Sequence, residues 1–246
     1  MEEIQSVACE VCGGTGWQIV VENGISRAKR CGCSRTTFTP EKAFASARIP
    51  SRYISCELDN YLPDSKFFNT QGRAKKLALE YVTDYPMLDA GLFGEGSLLF
   101  TGPAGLGKTH LSASILKGLV RKGVPCLFID FHELLLEIRE SYDPLAQMSE
   151  MQILRPIINI EVLLLDDLGS RRMTEWMQDT VFHIINLRYN QKRTLIATTN
   201  LAMEPSGAST HETLQDRLGY PVVSRLYEMC KVIELNGPDY RKPSEA

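Results

Sequence analysis

The chain has 246 residues, of which 43% are hydrophobic, 23% charged and 8% aromatic, a balance that excludes a disordered or fibrous protein. Lys and Arg number 27 against 30 Asp and Glu, so the formal net charge of −3 gives no overall basic field to hold nucleic acid, and any such contact has to be local. No apolar run approaches the ~18–20 residues of a membrane span, and the acidic start Met1-Glu2-Glu3 lacks the pattern of a secretory leader, so a cytoplasmic protein with no membrane partner is expected.

Four of the seven cysteines fall within residues 9 to 33, as Cys9-x-x-Cys12 and Cys31-x-Cys33. Four thiolates in two pairs match tetrahedral zinc, adjacent glycines let the chain bend round the ion, and so short a segment needs a staple to fold. A redox Cys-x-x-Cys would open a helix, which Gly13, Gly14 and Gly16 oppose. Cys9, Cys12, Cys31 and Cys33 are therefore read as zinc ligands of a module spanning 1–40, with Trp17 either covering the metal or standing as an exposed anchor. Cys56, Cys126 and Cys230 are read as ordinary thiols. Residues 41–71 show no sustained period and read as a linker lying on the next domain, which is expected to occupy 72–246.

From Gly72 to Tyr85 the residues Ala74, Leu77, Ala78, Tyr81 and Val82 form the stripe of an amphipathic helix. Beyond Gly96, short apolar runs at 98–100, 126–131, 162–165, 194–198 and 232–235 alternate with helical stretches. Continuous Leu/Ile/Val strands joined by helices predict a five-stranded parallel sheet covered on both faces, an α/β fold.

The run Gly102-Pro103-Ala104-Gly105-Leu106-Gly107-Lys108-Thr109 follows the first of these strands and opens a helix. Glycines let backbone N–H groups wrap phosphates, while the helix N-terminus, Lys108 and the Thr109 hydroxyl supply dipole, charge and a magnesium ligand. The strand 162–165 ends in Asp166-Asp167, and two adjacent carboxylates at a buried strand end are costly unless a cation or proton lies between them. Asp166 is the expected magnesium-side carboxylate and Asp167 the group that polarises water. Asn200, after the strand 194–198, is expected between these two elements, orienting water near the terminal phosphate.

Together with Ser224-Arg225-Leu226 and Asp239-Tyr240-Arg241, the runs 102–111 (with His110), 164–169 and 198–200 make residues 45 to 242 resemble the AAA+ ATPases of the DnaC/DnaI helicase-loader type and their IstB-like relatives. The resemblance implies a sheet order of 5-1-4-3-2, Arg225 as an arginine finger reaching a neighbour's nucleotide, and Arg241 as a sensor of phosphate. Only eleven residues follow Leu235, too few for a helical lid, so closure over the nucleotide is expected to need a neighbouring subunit, with weak ATPase activity in the monomer. In loaders of this type the segment after the paired acids touches single-stranded DNA, which here designates Arg171, Arg172 and Trp176; Trp176 also lies on a helical face that would suit the core.

The reading that results is an ATP-, magnesium- and zinc-dependent protein that self-assembles and loads a replicative hexameric DNA helicase onto single-stranded DNA. Two alternatives stand beside it. An IstB-like transposition helper would bind duplex DNA and recruit a transposase, and is expected to lack the zinc module. A metabolic P-loop kinase would need a substrate lid or pocket that the sequence does not show.

Overall fold

Four largely apolar pentapeptides and a fifth with Lys231 and Glu234 exposed build the centre of the protein; every second side chain in a strand points to the opposite face, and in the first four both sets are buried. In the computed structural model, residues 17–22, 25–30, 40–88, 96–143, 148–204 and 212–242 are described. Contacts divide the chain into two units, Met1–Ala43 and Phe44–Ala246.

In the first unit, strands β1 (Trp17–Glu22) and β2 (Ile25–Arg30) pair antiparallel, with Trp17 opposite Arg30. The four cysteines expected to bind zinc lie outside the described residues. Helix α1 (Pro40–Ser46) begins in this unit and ends in the next.

The second unit is the α/β domain. Its helices are α2 (Phe68–Asp84), α3 (Lys108–Arg121), α4 (Phe131–Glu140), α5 (Glu150–Asn159), α6 (Glu175–Asn190), α7 (Leu214–Leu218) and α8 (Tyr220–Met229). Its strands are β3 (Ser97–Thr101), β4 (Cys126–Asp130), β5 (Val162–Asp166), β6 (Thr194–Thr198) and β7 (Cys230–Glu234). They lie in the order β4-β5-β6-β3-β7, every pair parallel. Counted within this sheet, that is the order 5-1-4-3-2 read from the opposite edge. Leu99, Leu127, Ile129, Leu163, Leu165, Leu195 and Ala197 form one core with residues of α4, α5, α6 and α8. The alternate residues, among them Leu98, Phe100, Leu164 and Ile196, are buried too and turn towards the opposite face, where α3 crosses four strands and α2 packs on α3.

Domain boundaries differ from the sequence expectation. The second unit begins at Phe44, well before Gly72, because residues 44–71 make specific contacts with the sheet and α3. The Phe128 amide of edge strand β4 donates to the Ala47 carbonyl at 2.7 Å, and Glu57 pairs with Lys117 and Arg121 of α3 at 2.5 and 2.6 Å. Arg188 on α6 is fully buried and caps the end of α5 by donating to the carbonyls of Ile157, Ile158 and Ile160. Among the described residues, no helix is long and apolar enough to cross a membrane.

Candidate functional site

The loop between β3 and α3 bends where side chains have no room. Gly102, Gly105 and Gly107 have φ of 126°, 82° and 80°, in the region L side chains rarely adopt. A Cβ on Gly102 would lie 2.1 Å from the Leu235 carbonyl oxygen, one on Gly105 1.6 Å from an Asp239 carboxylate oxygen, and one on Gly107 2.7 Å from the Tyr61 ring. The loop is therefore clamped by the chain after β7 and by the segment before α2. Tyr61 adds a hydrogen bond from its hydroxyl to the Leu106 carbonyl at 3.1 Å, and the Tyr240 amide donates to the Gly105 carbonyl at 3.1 Å.

Lys108 opens α3 and is buried, with Nζ donating to the carbonyls of Gly102 and Pro103 at 2.7 and 2.6 Å. Burial pulls its pKa down to about 8, against the opposing pull of Asp167 and Asp166. An ammonium resting on two neutral carbonyls at a helix N-terminus can exchange them for phosphate oxygens, which carry charge. His110, one residue past Thr109, has Nε2 2.9 Å from the Glu57 carbonyl oxygen and its ring edge-on to Tyr61 at 5.6 Å.

At the end of β5, the buried Asp166 carboxylate accepts from the Thr109 hydroxyl at 2.9 Å and from the Thr198 hydroxyl at 2.6 Å. Burial raises its pKa, the bonds from Thr198 and Thr109 oppose that rise, and Asp167 and Asp130 add to it. A cation would remove the cost of a buried carboxylate, and the convergence of Thr109 and Asp166 oxygens is the hard donor set that magnesium takes. Asp167 follows at φ 59°, a left-handed conformation for a non-glycine residue. Two bonds hold it there: its amide donates to the Thr198 hydroxyl at 2.9 Å, and Asn200 Nδ2 donates to its carboxylate at 2.7 Å. A half-buried carboxylate that faces the cleft and is fixed by an amide side chain can hold and polarise a water molecule.

These groups line one cleft of ≈ 410 Å³ at the carboxyl ends of the parallel strands, where ligands bind in open α/β sheets. Ala104, Lys108, Thr109, Asp166, Asp167 and Asn200 all face it, and so do His110 and Arg241. The structure thus brings together the residues expected to bind and hydrolyse nucleotide within one chain. The sequence reading missed four others on its walls: Arg52, Tyr53, Cys56 and Asp130. It also missed Thr198, whose hydroxyl bonds both the Asp166 carboxylate and the Asp167 amide. No motif flags the first group, which comes largely from the stretch read as a linker; Thr198 stood beside the chosen Asn200.

Arg225 does not line its own chain's cleft. It lies on α8 with its guanidinium 5.1 Å from the Phe182 ring centre and 5.6 Å from that of Tyr189, donating to Asn186 Oδ1 at 3.1 Å. Arg171 and Arg172 are exposed, with Arg172 3.8 Å from Glu212. Trp176 is half-buried against the core, edge-on to Tyr142, and its indole N–H donates to the Tyr142 hydroxyl at 3.1 Å.

A parallel sheet of this order, with a phosphate loop facing paired strand-end acids, defines an AAA+ P-loop ATP-binding protein. The chain belongs to the family of IstB-like ATP binding proteins, whose profile matches residues 94–246, and is of the DnaC/DnaI type. It is similar to a DnaC helicase loader of known crystal structure, with 32% identity, a TM-score of 0.63, and coverage of 76% of this chain and 100% of that one. It is 24% identical over 202 residues to the replicative helicase loader DnaC of Escherichia coli, covering 82% of this chain and 78% of that protein. With Bacillus subtilis YqaM it shares 25% identity over 211 residues, and it spans 61% of that protein's length.

Proposed function

We propose that this protein is a cytoplasmic ATPase that loads a replicative hexameric helicase onto single-stranded DNA. The observation that supports this most is the 32% identity with a DnaC helicase loader along that chain's whole length, on a fold whose cleft assembles the phosphate loop, Asp166, Asp167 and Asn200 in hydrogen-bonded order. ATP supplies the bond to be broken; this chain supplies the cradle. In that cradle Lys108 holds phosphate, Thr109 and Asp166 hold magnesium, Asp167 and Asn200 fix the attacking water, and Arg241 meets phosphate from the chain's end. Arg225, turned away from its own cleft, is available to a neighbour's in an ATP-dependent assembly, where hydrolysis exceeds that of the monomer. The exposed Arg171 and Arg172, in the segment just before α6, are the DNA-phosphate contacts, and Trp176, in the first turn of α6, is the ring that meets a base.

The first unit is the helicase-docking element, held by zinc on Cys9, Cys12, Cys31 and Cys33. Its hairpin register supports this reading, since it sets Trp17, which follows the first cysteine pair in the sequence, opposite Arg30, which precedes the second. The test is capture of a purified hexameric replicative helicase by the full chain and by its Cys31→Ser/Cys33→Ser variant. Capture by the wild type, and its loss in the variant with ATP binding retained, is expected because the metal supplies most of the small unit's folding energy. Undiminished capture by the variant overturns the docking role, and capture of a transposase in place of a helicase moves the protein to the transposition-helper reading.

A further inference from the structure

The nucleotide cleft contains an arginine that belongs to no nucleotide-binding motif. Arg52 lies in a single 3-10 turn, Ser51–Tyr53, upstream of the phosphate loop, and it lines the same cleft as Lys108 and Asp166. Its side chain is exposed and makes no ion pair among the described residues, whereas Arg121 and Arg217 are tied to Glu57 and Glu212.

Its backbone is firmly placed. Pro50 enters the turn at φ −58°, and the Tyr53 amide donates to the Pro50 carbonyl at 2.8 Å. The Tyr53 ring stacks on Phe128 of β4 at 5.9 Å and 28°, and Ala47, a few residues upstream, accepts from the same Phe128. The turn is thus fastened to the edge strand from both sides, which lowers the entropy lost when Arg52 grips a ligand.

The turn sits at the acidic end of the cleft. Arg52 and Tyr53 line it together with Thr109, Asp130, Asp166 and Asp167. This is the end where the magnesium donors converge and where the last phosphate of a nucleoside triphosphate must lie. Three carboxylates, Asp130, Asp166 and Asp167, face the cleft there against Lys108 and Arg241; a magnesium ion on Asp166 would offset part of that charge, and Arg52 is the further cation on the wall that can meet the terminal phosphate itself. A guanidinium matches phosphate with two parallel donors.

We propose that Arg52 contacts the terminal phosphate from within the same chain and so makes the cleft distinguish triphosphate from diphosphate. The inference rests on the reading of the cleft as an ATP site. It is tested by titrating the full chain and its Arg52→Gln and Arg52→Lys variants calorimetrically with magnesium ADP and with a magnesium ATP analogue carrying a β,γ-methylene bridge. Arg52→Gln should weaken the triphosphate analogue about tenfold and ADP less than about twofold, as expected for one charge-assisted bond to the terminal group, with Arg52→Lys between. Equal weakening of both ligands, or of neither, overturns the proposal, as does a lowered urea midpoint that accounts for the loss. A wild-type chain that binds neither nucleotide refutes the ATP reading itself, and the two failures are thereby told apart.

Discussion

Replacing Thr198 by Val isolates the hydroxyl on which the catalytic geometry turns. Thr198 is 2% exposed, and its oxygen gives a 2.6 Å bond to Asp166 while accepting the Asp167 amide at 2.9 Å. Val keeps the volume and the β-branched shape that suits β6, so no cavity opens and the change reports on the two bonds. A hydrogen bond to a charged group contributes about 1.5–3 kcal/mol and a neutral one about 0.5–1.5 kcal/mol, and the two share one oxygen, so a combined loss near 3 kcal/mol is expected. Urea unfolding of Thr198→Val, Asp166→Asn and the double variant measures it. A coupling of at least about 1 kcal/mol between the two sites is expected, because a neutral Asn no longer needs the same donor. The left-handed Asp167 also loses one of its two restraints, so ATP hydrolysis should fall by more than ATP affinity does. A loss below about 0.5 kcal/mol with an unchanged hydrolysis rate would refute the account of Thr198 as the bridge between the acids.

What the sequence could reveal followed from how local each cause was. The strands β3 to β6 could be read because Val162 to Leu165 and its counterparts there are buried on both faces, and burial on both faces leaves an apolar run. The phosphate loop could be read because the left-handed turns at 102, 105 and 107 require glycine, which composition records directly. The reasons those glycines cannot be replaced were out of reach: Leu235, Asp239 and Tyr61 come from distant parts of the chain and meet the loop only in the fold. The same holds for residues 44–71. Their contacts are single side chains and one strand-edge bond, with no period to betray them, so a stretch that builds a wall of the site carries the composition of a linker. Arg188 shows the limit from the other side, since a fully buried arginine in a helix has no sequence mark separating it from the solvated arginine expected at such a position.

Two further predictions test the surroundings of the cleft. Glu57, 36% exposed, is held near a pKa of about 2 by hydrogen bonds from Arg121 first and then from Lys117, against the opposing effect of burial. Because the folded pKa lies below the unfolded one, its stabilisation is complete above pH about 4.5 and is lost as the pH falls towards 2. Solvent screening limits it to about 1 kcal/mol. Glu57→Gln should therefore lower the urea midpoint at pH 7, with the gap narrowing below pH about 4.5 and closing only as the pH reaches about 2; a gap independent of pH would show that the side chain acts by packing alone. The second concerns Arg225, whose guanidinium rests on Phe182 and Tyr189 and bonds Asn186, all on α6 of its own chain. Those contacts alone would make it a structural clamp, with Arg225→Ala costing about 1 kcal/mol of stability and nothing else. A finger acting in a neighbour's site predicts a different pattern: monomer ATP affinity unchanged, and the rise of specific ATPase activity with protein concentration abolished, because the missing charge is one the neighbour's terminal phosphate needs in the transition state. Mixing the variant with a Lys108→Ala chain separates the two. Lys108→Ala cannot hold nucleotide but still carries Arg225, so it should restore hydrolysis in the intact cleft of Arg225→Ala. If the mixture stays inactive while each variant remains folded, Arg225 does not act across the interface.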